Sequence, residues 1–323
     1  MAIKTYIDGA EGTTGLQLKQ RLLSHPEIQI ISVDVNKRKD LSYKLDQFSN
    51  SDLIFLCLPD NEASLITDKI NENFGNEKVI IDASSAHRVS DGWVYGFPEL
   101  NSSQRQFLKN SNRITNPGCY PTGALSIIRP LVENNFIDNT SKLIINAVSG
   151  YTGGGKKLID FFSNNKKDKF FHYSTFLNHK HTKEIQHYGL LEHSPIFCPS
   201  VAAFPQGMAV SIPLHLDWLN DNLDGKKIYK IFKEYYDLDP LITIYPLNSR
   251  DTLSDEGFFS PEGLVGSNRI SISIFSNEKL GQIWLIASLD NLGKGASGAA
   301  VQNLNVRFGF KEDIAVNLTL IHI

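Results

Sequence analysis

Ala2-Ile3-Lys4-Thr5-Tyr6-Ile7-Asp8-Gly9-Ala10-Glu11-Gly12-Thr13-Thr14-Gly15 stands almost at the N-terminus, and its reading decides the fold. The β-branched and aromatic residues of Ala2–Asp8 predict a strand. Gly12–Ser24, with Leu16, Leu22 and Leu23 among polar residues, predicts a helix. Gly9, Gly12 and Gly15 fall at the join. Glycine lets a backbone come close to a pyrophosphate, and the helix behind the loop offers N–H groups and the positive end of its dipole. The spacing is G-x-x-G-x-x-G rather than the commoner G-x-G-x-x-G, so the loop's position at the first strand–helix junction carries the weight. A tight turn of any doubly wound domain is the plain alternative. The junction favours a dinucleotide, held by Gly9, Gly12, Thr13, Thr14 and Gly15.

Outward from this loop the pattern repeats. Ile28–Val35 and Leu53–Leu58 read as strands, the latter so evenly apolar that both faces are buried. A helix over Ala63–Asn73 and a strand over Val79–Ala83 follow, the alternation of a parallel sheet with crossover helices. Asp34, ending the second strand, suits a ribose 2′-hydroxyl and therefore NAD; the basic run Asn36-Lys37-Arg38-Lys39 suits a 2′-phosphate. Lys37 and Arg38 tip the reading to NADP. Past Cys119 the texture changes. Gly123–Asn134 reads as a helix with Pro121 near its start, and Lys142–Ser149 as a strand. Met208–Leu216, Ile242–Tyr245, Arg269–Phe275 and Gln282–Leu289 read as longer, mixed, mainly antiparallel strands, and Ala296–Val306 as a closing helix capped at Gly309. The fold class is α/β: a Rossmann-like doubly wound domain plus an α+β substrate domain with a mixed or antiparallel sheet.

At 323 residues the chain is long enough for two domains. A formal net charge of −3 with no block of like charge gives no reason to expect nucleic acid or a membrane surface as partner. The N-terminus has no apolar signal-peptide core and no run reaches the length of a membrane span, so a soluble cytoplasmic protein is expected. Three cysteines, Cys57, Cys119 and Cys198, lie far apart without C-x-x-C spacing, which fits a reducing compartment and gives no structural zinc site.

Cys119 has an unusual setting, Asn116-Pro117-Gly118-Cys119-Tyr120-Pro121-Thr122-Gly123, whereas Cys57 lies in an apolar run. With Pro121 opening a helix, Cys119 falls at or just before its N-terminal end, where unpaired N–H groups and the dipole favour a thiolate and stabilise an oxyanion. A cysteine nucleophile needs a proton-transfer partner, and His179 and His181 stand out in Asn178-His179-Lys180-His181-Thr182-Lys183-Glu184. H-x-H followed by Glu is also a weak metal pattern, but no third ligand accompanies it, so no metal is assigned. The favoured reading is an acid/base imidazole oriented by Glu184 one helical turn away; His181 is placed slightly ahead of His179. The lysine-rich Lys166-Lys167-Asp168-Lys169 is read as a solvated loop. Gly150-Tyr151-Thr152-Gly153-Gly154-Gly155-Lys156-Lys157 imitates a P-loop but has Lys157 where a hydroxyl is required, and reads better as a glycine loop holding an anionic substrate near Cys119. In Asp82-Ala83-Ser84-Ser85-Ala86-His87-Arg88, at a strand end, Arg88 is a fork suited to phosphate or carboxylate.

Together these pieces resemble the N-acetyl-gamma-glutamyl-phosphate reductase family, relatives of aspartate-semialdehyde dehydrogenase. The resemblance runs nearly end to end and is most specific at Asn116–Gly123, Asp8–Gly15, Gly96-Phe97-Pro98-Glu99-Leu100 and Ser288–Gly298. The Gly-Thr-Thr-Gly loop and Phe204-Pro205-Gln206-Gly207-Met208 are similar to the shorter, type 2 branch; the commoner branch has arginine where Gln206 stands. The resemblance implies NADPH-dependent reduction of N-acetyl-L-glutamyl 5-phosphate to the semialdehyde through a Cys119 thioester, in arginine biosynthesis. It implies that Arg88, Asn116 and Glu184 serve the substrate, and that Ser84 and Asn291 serve the cofactor. It further implies a homodimer or homotetramer and a division into residues 1–118, completed by 296–323, for NADP and 119–295 for catalysis and oligomerisation. Another acyl-phosphate reductase, a cysteine–histidine hydrolase and a nucleotide sensor without activity are the alternatives.

Overall fold

The computed structural model describes residues 2–164, 167–220 and 223–318. Lys166 of the predicted lysine loop, and residues 319–323 of the expected C-terminal segment with His322, lie outside the described residues. The chain divides into two compact units. One holds the described residues of Met1–Pro98, Ser102–Pro117 and Ala296–Ile323; the other holds those of Glu99–Asn101 and Gly118–Gly295.

The first unit is built from β1 (Ile3–Asp8), α1 (Thr13–Leu23), β2 (Ile28–Ile30), α2 (Leu41–Ser49), β3 (Leu53–Leu56), α3 (Asp60–Phe74), β4 (Val79–Asp82), β5 (Val94–Tyr95), α4 (Gln104–Asn110) and β6 (Arg113–Thr115). Its six strands are all parallel, in the order β2-β1-β3-β4-β6-β5. From β1 the chain goes to one side for β2 and returns to the other for β3, so the carboxyl ends of β1 and β3 flank a topological switch point, where open α/β sheets take ligands. β3 and β4 are buried at every position, as a strand covered on both faces must be. Leu18 and Leu22 turn the inner stripe of α1 into the core beside Ile7 and Phe55, each burial worth about 1.5–3 kcal/mol. β2 is shorter than the predicted Ile28–Val35: regular pairing with β1 covers only Ile28–Ile30, and only the Ile31 N–H reaches further, to Thr5.

The second unit contains α5 (Cys119–Glu133), β7 (Ile144–Gly150), α6 (Gly155–Asn164), β8 (Phe170–His172), α7 (His181–Tyr188), β9 (Ile196–Ala202), β10 (Met208–His215), α8 (Gly225–Tyr235), β11 (Ile242–Ile244), β12 (Ile270–Asn277) and β13 (Gln282–Leu289). Its sheet runs β11-β12-β13-β10-β7-β9-β8. The β7–β9 and β11–β12 pairs are parallel and the others antiparallel, so the sheet is mixed. α5 lies on its inner face: a side chain at Gly123 would collide with Val210 at 2.7 Å and Leu289 at 3.2 Å. That contact fixes the height of the helix above the strands and hence the position of its first residue, Cys119.

The last helix, α9 (Gly298–Phe308), returns to the first unit and is capped by Gly309 in the left-handed conformation, φ 76°. It begins later than the predicted Ala296, because Gly293–Ser297 form a π-type turn. Ala300, Val301 and Leu304 pack into the same core as α1.

Candidate active site

The first unit carries a cavity of about 470 Å³ at the end of β1. Gly9, Ala10 and Glu11 line it on one side, Ser32, Val33 and Val35 on another, and Arg38, Lys39 and Lys44 supply cations. The three glycines of the loop do different jobs. Gly9 has φ +85°, and a Cβ there would stand 2.3 Å from the Cys57 carbonyl oxygen. At Gly15 a Cβ would meet the Gly9 carbonyl oxygen at 2.3 Å, so α1 can close on the loop only with glycine in that place. Gly12, the N-cap of α1, has only an ordinary contact at 3.5 Å. Two glycines are therefore required by the protein itself, and the third leaves the helix N-terminus open to a ligand.

Of the basic run, Arg38 and Lys39 line the cavity and Lys37 is not among the lining residues. Asp34 is not among them either: its Oδ1 accepts the Asn36 N–H at 2.9 Å, a local Asx turn. At the floor, Asp8 and Lys44 form a buried ion pair of 2.7 Å. Burial raises the Asp8 carboxyl above its ordinary value in spite of the lysine. Ser84 Oγ donates to Asp82 at 2.7 Å at the end of β4, and His87 Nδ1 lies 2.7 Å from the same carboxylate. Arg88 is buried; its Nε donates to the Asn116 carbonyl at 2.9 Å and its Nη2 to the Ala83 carbonyl at 3.3 Å. Asn116 is held further by its own Nδ2 on the Ala296 carbonyl at 2.8 Å and by Asn303 Nδ2 on its Oδ1 at 3.1 Å.

In the second unit Cys119 is the first residue of α5, with Gly118 as N-cap in extended conformation. The helix therefore starts four residues earlier than the predicted Gly123. A cysteine in this first turn sees the positive dipole end directly. Cys57 is the opposite case: burial pushes its thiol up to about 12, out of reach of a thiolate. α7 begins at His181, and three residues on Glu184 reaches across so that its Oε1 accepts the Gly118 N–H at 2.7 Å. Glu184 thus anchors the backbone next to Cys119, a task the sequence reading did not give it. His179 Nδ1 accepts the His181 N–H at 3.1 Å and so caps α7; its other nitrogen must then carry the proton of the neutral ring. Burial, with Lys180 nearby, lowers His179 to about 4. His181 is buried, and its ring lies 4.7 Å from that of His179, centroid to centroid.

Tyr120 and Tyr173 complete this wall. Tyr173 donates to the Tyr120 hydroxyl at 3.2 Å, and Tyr120 donates to the Ser200 carbonyl at 3.0 Å. The glycine-rich 150–155 segment is a short 3-10 turn followed by α6, and packs on Asn291: a Cβ at Gly153 would be 3.0 Å from Asn291 Nδ2. Asn291 is fully buried; its Oδ1 accepts the Gly207 N–H at 2.8 Å and its Nδ2 donates to Thr152 at 3.3 Å. Gln206 Nε2 donates to the buried Asp290 carboxylate at 3.3 Å, which also takes the N–H groups of Gly266 and Leu292. None of the three cysteines is in a disulfide. Among the described residues no group of three metal-ligating side chains converges, and no helix is long and apolar enough to cross a membrane.

A doubly wound parallel unit and a mixed-sheet unit that carries a helix-terminal cysteine are the two domains of the semialdehyde-dehydrogenase class, which the family models show. The family model described as semialdehyde dehydrogenase, NAD binding domain, matches residues 4–107, and that described as semialdehyde dehydrogenase, dimerisation domain, matches 119–291. Among solved structures, aspartate semialdehyde dehydrogenase II from Vibrio cholerae superposes with a TM-score of 0.70 at 14% identity, covering 96% of this chain and 99% of that one. A probable aspartate-semialdehyde dehydrogenase from Pseudomonas aeruginosa gives 0.71 at 13% identity, covering 95% and 99%. Curated relatives narrow the class. N-acetyl-gamma-glutamyl-phosphate reductase 2 from Nostoc sp. is 40% identical over 321 residues, 97% of this chain and 99% of that protein. N-acetyl-gamma-glutamyl-phosphate reductase from Brucella ovis is 39% identical over 314 residues, 96% and 100%. The chain belongs to the N-acetyl-gamma-glutamyl-phosphate reductase family; it is an oxidoreductase whose first domain binds a nicotinamide dinucleotide.

Proposed function

We propose that the protein reduces N-acetyl-L-glutamyl 5-phosphate to N-acetyl-L-glutamate 5-semialdehyde and phosphate with NADPH, through a thioester on Cys119, as the arginine-pathway enzyme of a cytoplasm. The observation that carries the chemistry is Cys119 at the first position of α5, with the preceding amide tied by Glu184 to the helix that begins at His181. The thiolate attacks the acyl carbon, the carbon–oxygen bond to phosphate breaks, and phosphate departs with the electron pair. The N-terminal amides of α5 favour the oxyanion that forms. After reduction the thiohemiacetal loses its carbon–sulfur bond and Cys119 recovers its thiolate. His181 holds the proton exchanged at the oxyanion. Arg88 and Asn116 keep their proposed service to the substrate, and Ser84 theirs to the cofactor.

The cavity of the first unit supports this reading: the Gly9–Glu11 loop lines it at the end of β1, and Arg38 and Lys39 stand in its wall. Bound there, the reduced nicotinamide supplies the hydride that turns a thioester into an aldehyde. With Asp34 engaged by its own loop, Arg38 and Lys39 favour the 2′-phosphate of NADP. Asn291 retains one amide hydrogen and one lone pair beyond its two internal bonds, enough for the proposed contact with a carboxamide. The outer face of the seven-stranded sheet exposes Ile144 and Ile196, which pair with each other, and Trp284, which pairs with Pro213. A second copy covering this face gives the proposed homo-oligomer.

The test is the reverse reaction, NADP reduction by N-acetylglutamate 5-semialdehyde plus phosphate, for the wild type and Cys119→Ser. A rate that requires phosphate and vanishes in the variant is expected. Turnover of aspartate semialdehyde alone would overturn the substrate, and a fully active Cys119→Ser would overturn the thioester.

A further inference from the structure

After β13 the chain runs Asp290-Asn291-Leu292-Gly293-Lys294-Gly295. Gly295 lies directly against the cysteine of α5: a Cβ built on it would stand 2.6 Å from Cys119 Cβ and 3.1 Å from Cys119 Cα. Its N–H is bound to the Asp290 carbonyl at 2.9 Å. Gly293 is equally tight, but against the Ser267 carbonyl oxygen, at 2.4 Å. Between the two glycines Lys294 points inward. Its side chain is 1% exposed, and its Nζ stands 2.7 Å from Oε1 of Glu99, whose side chain is 0% exposed.

Two charges taken out of water are no better for stability than a well-packed apolar pair of the same size. What the ion pair adds is a fixed length and direction for the short segment between the glycines. We propose that Gly295 is a positioning residue for Cys119 and that the Lys294–Glu99 ion pair is the pin that keeps Gly295 against it. A backbone in contact with Cα and Cβ of the cysteine blocks one flank, and the sulfur is confined to the staggered positions that remain. The pin acts through Gly295 and touches neither substrate nor cofactor. The inference rests on Cys119 being the nucleophile of the proposed reaction.

Three variants test it: Gly295→Ala, Gly293→Ala, and the double variant Lys294→Met with Glu99→Leu. For each, kcat and KM are measured in the phosphate-dependent reverse reaction, with the melting temperature and the rate of Cys119 alkylation by iodoacetamide. Gly295→Ala is expected to lower kcat by about 100-fold, with both KM values within about threefold and an altered alkylation rate, the signature of a displaced thiol. Gly293→Ala, equally crowded but away from the cysteine, should stay within about threefold in kcat while folded. The double variant removes both charges, should stay folded, and should lose about tenfold in kcat at unchanged KM. A Gly295→Ala enzyme with wild-type kcat, or a Gly293→Ala enzyme that loses as much, overturns the proposal. If Gly295→Ala does not fold, the double variant decides: a wild-type kcat there overturns the pin. Cys119→Ser separates the two readings. An inactive Cys119→Ser beside a fully active Gly295→Ala removes only the positioning role, whereas an active Cys119→Ser removes the nucleophile itself.

Discussion

Removing the Glu184 carboxylate should damage catalysis more than it damages the fold. Its Oε1 accepts the Gly118 N–H at 2.7 Å, and the residue is 2% exposed. A buried hydrogen bond to a charged group is worth about 1.5–3 kcal/mol, and Glu184→Ala leaves the amide without that acceptor. At about 2–4 °C per kcal/mol for a unit of this size, the melting temperature should fall by roughly 3–12 °C. Gly118 immediately precedes Cys119, so any relaxation of the freed amide moves the thiol, and a misplacement of about 1 Å costs on the order of 100-fold in rate. Glu184→Gln keeps an acceptor oxygen of the same reach but no charge, and a neutral bond is worth about 0.5–1.5 kcal/mol, so its loss of stability should be roughly half as large. The assays are thermal melting and kcat in the phosphate-dependent reverse reaction, both at a temperature where every variant is folded. A Glu184→Ala enzyme with kcat within about threefold of wild type would refute the reasoning, because the anchor would then be irrelevant to the placement of the thiol.

Three other outcomes follow from particular contacts. His179 titrates at about 4 in the folded protein because of burial, below its value of about 6.5 in an unfolded chain. The unfolded state therefore takes up the proton first, and stability falls as pH drops from about 6.5 towards 4; His179→Asn, which can still cap His181, should flatten that part of a melting-temperature profile. An unchanged slope would remove the assignment. Arg38→Ala should weaken NADP binding by about 10–100-fold and leave NAD binding unchanged, the size of one or two charge-assisted contacts, whereas Lys37→Ala, outside the cavity wall, should not; calorimetric titration separates them. Gly15→Ala should destabilise the first unit, since its Cβ would stand 2.3 Å from a carbonyl oxygen, while Gly12→Ala, at 3.5 Å, should melt within about 2–4 °C of wild type yet lose cofactor affinity. Equal melting losses would show that both glycines are structural.

In the first unit β1, α1, β3, α3 and β4 were legible because their signals are local, while α2, β5, α4 and β6 went unread. The alternation of β1, loop and α1 needs no knowledge of distant residues, and the apolar runs of β3 and β4 announce their own burial. The second strand was read too long because Ile31–Val35 keeps a strand-like composition where regular pairing with β1 has ended. In the second unit α6, β8 and α8 went unread, and so did β9. It carries Pro199 in mid-strand, which composition rules demote, yet it pairs along its whole length with β7 and donates through its other residues. Cys119 and the His179–His181 pair drew the reading by their flanking residues. Lys37 and Lys39 could not be told apart, because which lysine of a charged turn faces a cavity depends on the turn's tilt and not on composition.

What stayed hidden has one physical cause. Glu99, Glu184, Asp290 and Lys294 look like solvent-facing residues in a sequence, because a charged side chain is buried only when a partner meets it. Those partners are distant: Lys294 lies 195 residues from Glu99, and Glu184 lies 66 residues from Gly118. Two of these carboxylates take backbone N–H groups from chain outside helices and strands, and the third takes a side-chain ammonium. Glu184 takes the amide before Cys119, Asp290 takes those of Gly266 and Leu292, and Glu99 takes Lys294 beside Gly295. Helices and strands satisfy their own backbone groups; loops that shape a site do not, and an N–H group left buried without an acceptor is costly. An apolar side chain could fill the same volume but could accept none of these donors. The charges that patterning assigns to the surface are therefore inside because the loops around the cysteine need acceptors, and their placement follows from that need.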